Sequence, residues 1–185
     1  MDGAAPRRRN RLPRLGSEHY RGRAIVHWSM TIERRSHGWL DTLHHARLRE
    51  LLCHALGRYG VVCPAYCLMP DHGHFLLCGV TSSSDQRLAV HLFRQSWNNV
   101  LAPNFRLQAQ AHDHVLREEE RSSDAFRAIT WYILENPVRA TIADRWQHWP
   151  CSGCLVPGYP DLDPRQEGYW ELFWRIWNRL SEAAP

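Results

Sequence analysis

At 185 residues, with 44% hydrophobic residues and nine tryptophans, the chain has material for one domain with a sizeable core plus extensions. No apolar run approaches the roughly 20 residues of a membrane span, and no apolar stretch follows the arginine-rich start to make it a secretory signal. All 23 basic residues are arginine, the formal net charge is +4, and the excess sits at the start, where residues 1–23 hold seven arginines against Asp2 and Glu18.

Residues 1–22 carry Arg7, Arg8, Arg9, Arg11, Arg14 and Arg21, broken by Pro6, Pro13 and Gly16. The expectation is a mobile basic arm, fit for a polyanion partner or equally for a solvated tail, and preferred to an organellar transit peptide. AIVHWSMTIE, residues 24–33, alternates and is β-branched, which predicts a strand. In the next segment Asp41 is placed to cap a helix whose stripe is Leu48, Leu51, Leu52, Ala55, Leu56 and Tyr59, closed by Gly60. AYCLM and HGHFLLCG, separated by Pro70-Asp71, predict a hairpin. SSSD then caps a helix to about Val100, with Leu88, Leu92, Phe93, Trp97 and Val100 expected inward.

HDHVLR predicts a further strand, and SDAFRAITWYILEN a helix that Pro137 ends, since the residue before proline is pushed out of the helical region. A linker, VPGYPDLDPRQEG, leads to a last helix, GYWELFWRIWNRL. The order β-α-β-β-α-β followed by helices fits an α+β, ferredoxin-like sandwich, an antiparallel sheet with two helices on one face. The expected organisation is an arm over 1–22, a domain over 23–155, and a linker with a Trp-rich helix over 156–185.

The six cysteines, Cys53, Cys63, Cys67, Cys78, Cys151 and Cys154, lack the paired CxxC spacing of a zinc ribbon, so reduced thiols in a cytoplasm are expected. The histidines are more informative. In MPDHGHFLL, His72 and His74 are two apart on a strand and therefore point to one sheet face, a possible start for a metal site or an ordinary polar face. Tyr132 and Asn136 are four apart, stacked on one edge of the Phe126–Ile129–Ile133 stripe. Each alone is explained by packing and by helix termination.

Together these groups resemble a family. MPDHGHFLL is similar to the histidine–hydrophobic–histidine signature of HUH single-strand DNA nucleases. HDHVLREEE, YILENPVRA and WPCSG resemble successive blocks of the single-tyrosine transposases, above all the REP-associated tyrosine transposases, over about residues 23–153. The resemblance implies Tyr132 as nucleophile, with His72, His74 and Asn136 holding Mg²⁺ or Mn²⁺. It also implies cleavage and rejoining of single-stranded DNA at hairpin-forming repeats through a 5′-phosphotyrosine, by a cytoplasmic monomer or homodimer. A domesticated, hairpin-binding relative is the alternative, and a metal phosphohydrolase without a covalent step a third. Arg94, Arg117 and Arg139, with Arg7, Arg8 and Arg9 of the arm, are the expected DNA contacts. Three features depart from the family pattern: Gly73 in place of a bulky apolar residue, Thr141-Ile142 in place of Gly-Leu, and a second pair, His112-Asp113-His114, able to compete for the metal.

Overall fold

The computed structural model describes residues 14–117 and 123–182. Its strands are β1 (Ile25–Thr31), β2 (Val61–Leu68), β3 (His72–Gly79), β4 (His112–Val115) and β5 (Ser152–Leu155). The helices are α1 (Thr42–Arg58), α2 (Gln86–Leu101), α3 (Ser123–Leu134), the single turn α4 (Asn136–Arg139) and α5 (Tyr169–Glu182). All pairings are antiparallel and the sheet order is β4-β1-β3-β2-β5. The fold is α+β, and its first four strands follow the order expected of the β-α-β-β-α-β reading.

The helix starts are those the sequence implies. Asp41 accepts from His44 N at 2.7 Å, and Asp85 accepts from Leu88 N at 3.0 Å, each satisfying a backbone donor of the first turn. Gly60, at φ +61°, takes the left-handed conformation that turns α1 into β2. The α1 and α2 stripes bury Leu48, Leu52, Phe93 and Trp97 against Trp28, Phe75 and Tyr66 on one sheet face. Inside α2 the buried set is Gln86, Ala89, Val90, Phe93, Trp97 and Leu101. Leu88, expected inward, is 48% exposed. The buried Gln86 explains the shift in phase: it donates to Ala24 O at 2.7 Å and accepts from Trp28 Nε1 at 3.1 Å, locking the first turn to β1.

The opposite face carries a second core. Phe126 and Ile133 of α3, Phe173 and Ile176 of α5, and Trp146 cover Leu76, Cys78, Ala65 and Cys67. Strand β5 begins within the WPCSG block and runs past it to Leu155, a strand that the sequence pattern does not predict. The half-exposed pattern of β1 at His27, Ser29 and Thr31 shows that this cover stops short of the β1–β4 edge.

Two corrections concern the ends of elements. Residues 14–22, assigned to the arm, are tied to the domain by hydrogen bonds and ion pairs, with Tyr20 as the buried anchor. Tyr20 is buried, its hydroxyl donates to Asp113 Oδ2, and Arg14 Nε pairs with Asp113 Oδ1 at 2.9 Å. Arg7, Arg8 and Arg9 lie outside the described residues. Helix α3 ends at Leu134, and Pro137 sits in the first turn of α4, where its missing N–H costs nothing.

Gly73 faces the α1/α2 core. A Cβ there would meet Leu68 Cδ2 at 3.0 Å and the Phe75 ring at 3.1 Å. Those neighbours therefore occupy the room a bulky residue would need, and the strand is not left loose. Thr141 adopts φ +56°, a left-handed conformation costly for a β-branched residue and free of that cost for glycine.

Candidate functional site

The antiparallel register sets the site. Ser29 lies opposite His74, Thr31 opposite His72, and His27 opposite Leu76. All of these project onto the second face, beside α3. His72 Nε2 and His74 Nε2 are 3.1 Å apart. His72 turns its Nδ1 to Asp71 Oδ1 at 2.5 Å, and Arg35 Nη1 holds Asp71 Oδ2 at 2.8 Å. Burial pushes the Asp71 carboxyl up, but the hydrogen bonds from His72 and Arg35 and their charges outweigh it and hold it below the ordinary range. Ionised Asp71 can only accept, so it favours the His72 tautomer that carries its proton on Nδ1 and leaves Nε2 open.

His74 Nδ1 faces Ser29 Oγ at 2.8 Å and His27 Nε2 at 3.1 Å. Both groups can accept from Nδ1, and the tautomer protonated there leaves Nε2 of His74 open as a lone pair. His74 is held neutral. Burial first, then the neighbouring His27, His72 and Arg139, lower its pKa from 6.5 to about 3. Burial, with His114 and His112, lowers that of His27 to about 4. In that pair of tautomers the two Nε2 lone pairs face one another across 3.1 Å, and a cation shared by them would remove their repulsion. Neutral imidazoles anchored at Nδ1 by outer partners are the donor set such an ion takes.

Tyr132 stands over these rings. It is 50% exposed, its ring centroid 6.2 Å from that of His74 and 6.1 Å from that of His27, both edge-on. The Arg139 guanidinium lies 4.2 Å from the Tyr132 ring centroid and donates to Tyr132 O at 2.5 Å, which brings a fixed positive charge to the rim. Asn136 sits one turn beyond the tyrosine, half-buried. Its Nδ2 donates to Tyr132 O at 3.0 Å and Ile133 O at 3.1 Å, so Oδ1 is its open end. No contact joins Asn136 to the histidines. Among the described residues, no three His, Cys, Asp or Glu side chains converge as a metal cage.

The second histidine pair sits on the edge strand β4. His114 lies opposite His27 and His112 opposite Ser29, so this pair shares the face and flanks the first one. Both residues are exposed. Asp113 between them points to the other face and is taken by Tyr20 and Arg14. Of the remaining arginines, Arg117 follows β4 on the surface, and Arg94 lies on the far side of the sheet in α2. Sequence reasoning missed His27, Ser29, Asp71 and Arg35. The alternation of β1 carried a signal for the first two, since His27 and Ser29 are two apart on one strand.

No protein-family model matches the sequence, and no curated protein matches it. Among solved structures, a sheet-and-helix architecture of the same class does match, covering 77% of this chain and 81% of that chain with a TM-score of 0.64 and 17% identity. That structure is a REP-associated tyrosine transposase bound to a REP hairpin. At that identity the match establishes the shared fold.

Proposed function

We propose that this protein is a metal-dependent, single-strand DNA cleaving and rejoining enzyme that acts at hairpin-forming repeated elements, with Tyr132 as nucleophile. The observation that carries the reading is the pair of Nε2 atoms of His72 and His74, 3.1 Å apart beneath the exposed Tyr132 ring. The match to a transposase bound to a hairpin supports the choice of DNA and of a folded single strand.

His72 and His74 would hold Mg²⁺ or Mn²⁺ through Nε2, with Asn136 Oδ1 as a third protein ligand, and manganese is the better match to imidazole. When bound, the ion neutralises charge on the non-bridging oxygens of the phosphodiester as the transition state forms. Asp71 and Ser29 hold the imidazole tautomers, and Arg139 draws the phosphate to the tyrosine. Tyr132 Oη forms a bond to phosphorus as the bond to the 3′-oxygen breaks. The phenol loses its proton and the departing oxygen gains one, giving a 5′-phosphotyrosine and a free 3′-hydroxyl. The phosphoester is conserved, so attack by another 3′-hydroxyl reverses the step and joins strands without a nucleotide cofactor.

Incubation with a labelled hairpin DNA and Mn²⁺ tests the reading. An adduct that resists denaturation supports it. Free cleaved product without an adduct identifies a phosphohydrolase, and retention without cleavage identifies a hairpin-binding module.

A further inference from the structure

Tyr132 is 50% exposed, so burial alone does not fix its ring. The ring is flanked instead by Arg139, His27 and His74. The Arg139 guanidinium lies 4.2 Å from the ring centroid. His27 and His74 meet it edge-on, at 6.1 and 6.2 Å between centroids and interplanar angles of 72° and 75°. The two imidazoles also contact each other, with centroids 5.1 Å apart. The three rings therefore close a triangle whose sides all lie within aromatic contact, about 4.5–7 Å.

His27 is the corner of that triangle without a task so far. Its Nε2 lies 3.1 Å from His74 Nδ1, where it accepts in the His74 tautomer that leaves Nε2 open for a cation. Ser29 Oγ, at 2.8 Å, is the other acceptor for that proton. Accepting requires a neutral ring, and burial, then His114 and His112, keep His27 uncharged at neutral pH. The residue lies opposite Leu76 of β3 and His114 of β4, so its ring projects from a strand paired on both sides. Packing beneath a tyrosine does not by itself call for an imidazole. A phenylalanine would pack there too, yet it would leave His74 Nδ1 with Ser29 in place of two acceptors.

We propose that His27 is a positioning residue that couples the nucleophile to the metal site. Its Nε2 holds His74, its ring supports Tyr132, and one side chain thereby sets where the phenol stands above the His72–His74 pair. The inference rests on the cleavage reading above and deepens it. Attack on phosphorus depends on placement, and a displacement of about 1 Å costs on the order of 100-fold in rate. His27 acts through its two neighbours and needs no contact with the phosphate.

Two variants separate the two contacts. His27→Gln keeps an acceptor near His74 Nδ1 and removes the ring, whereas His27→Phe keeps a ring and removes the acceptor. Two readouts on DNA-free protein follow them independently of activity. One is Mn²⁺ affinity by EPR. The other is the NMR ring signals of Tyr132 in tyrosine-labelled protein, assigned by their loss in Tyr132→Phe. His27→Phe should weaken Mn²⁺ binding about tenfold, the low end for loss of an outer partner because Ser29 remains. Its Tyr132 signals should stay displaced from those of free tyrosine. His27→Gln should bind Mn²⁺ nearly as wild type does, while its Tyr132 signals move toward the free values. At saturating Mn²⁺ and hairpin DNA, adduct formation should fall further in His27→Gln than in His27→Phe. Unchanged Mn²⁺ affinity in His27→Phe, or unmoved Tyr132 signals in His27→Gln, overturns the coupling. If wild type still forms the adduct in that case, the cleavage reading stands without it. Variants that behave as expected beside a wild type that forms no adduct uphold the coupling and end the cleavage reading. A wild type that binds no Mn²⁺ sinks both.

Discussion

Replacing Asp71 by asparagine removes a charge and almost no volume, so its consequences report on the carboxylate itself. That carboxylate takes the Nδ1 proton of His72 at 2.5 Å and the Arg35 guanidinium at 2.8 Å. The Arg35 partner is 68% exposed, and an ion pair so open to water contributes only about 0–1 kcal/mol. The larger effect falls on His72. An asparagine amide accepts more weakly and can turn its NH₂ toward the ring, which frees His72 to move its proton to Nε2 and quench the lone pair. Loss of such an outer partner weakens metal binding about 10–100-fold, or roughly 1.4–2.7 kcal/mol. Titrating DNA-free protein with Mn²⁺, with the free-ion EPR signal as readout, should give a dissociation constant raised by that factor in Asp71→Asn and scarcely changed in Arg35→Gln. Adduct formation with hairpin DNA should return at proportionally higher Mn²⁺. An unchanged Mn²⁺ affinity in a variant that melts like wild type would refute the role given to Asp71 and weaken the case for a metal on His72.

Tyr132→Phe should melt like wild type, because the ring is half-exposed, and should form no adduct in a denaturing gel. An adduct that persists must come from another residue, and Tyr66 is no substitute, being buried with its hydroxyl held by Arg49 at 2.6 Å and His45 at 2.9 Å. Thr141→Gly should raise stability by about 0.5–1 kcal/mol, the relief of a left-handed β-branched residue less the added freedom of glycine in the unfolded chain. Chemical denaturation giving a lower midpoint would contradict that sign. His45 gives a pH dependence: burial, then the charges of Arg49 and Arg165, lower its pKa to about 4. The unfolded chain takes up that proton near pH 6.5, so this contribution is complete above 6.5 and is lost as pH falls toward 4, by about 1–3 kcal/mol. His45→Gln should flatten the loss between those values, and an unaltered slope would remove His45 from the account. Deleting residues 1–13, with four arginines, should lower the salt dependence of single-strand binding by about 2–3 units if three or four of them contact phosphate. Deleting 1–22 should also lower the melting temperature, because Tyr20 goes with it, and equal melting of the two truncations would contradict its place in the core.

Local periodicity made most elements legible, and it failed where a long-range contact set the outcome. Helix α2 is amphipathic by its own spacing, yet its rotation is set by Gln86 reaching across to Ala24 O and Trp28. That polar anchor moved Leu88 to the surface. Strand β5 has four residues after a proline and a cysteine, too few for alternation to register, and it is a strand because β2 offers it an edge. Residues 14–20 read as arm because they continue an arginine-rich segment and carry no apolar periodicity of their own. Asp113, from a strand far along the chain, converts Arg14 and Tyr20 into part of the fold.

The site divides along the same line. His72 with His74, and Tyr132 with Asn136, are visible because each pair is joined by a short spacing on one element. The groups that prepare the imidazoles come from elsewhere, Ser29 and His27 by the β1–β3 register and Arg35 through Asp71. Register matters because slipping β1 by one residue against β3 would turn His27 and Ser29 to the α1/α2 core and bring Trp28 to the histidines. Trp28 is wholly buried and hydrogen-bonded to Gln86, so such a slip would expose a tryptophan and bury two polar side chains. The packing of one face thus enforces the chemistry of the other. A substitution at Trp28 that frees the register should therefore loosen His74 before it unfolds the protein, and the ring signals of His74 in a two-dimensional NMR spectrum would broaden first.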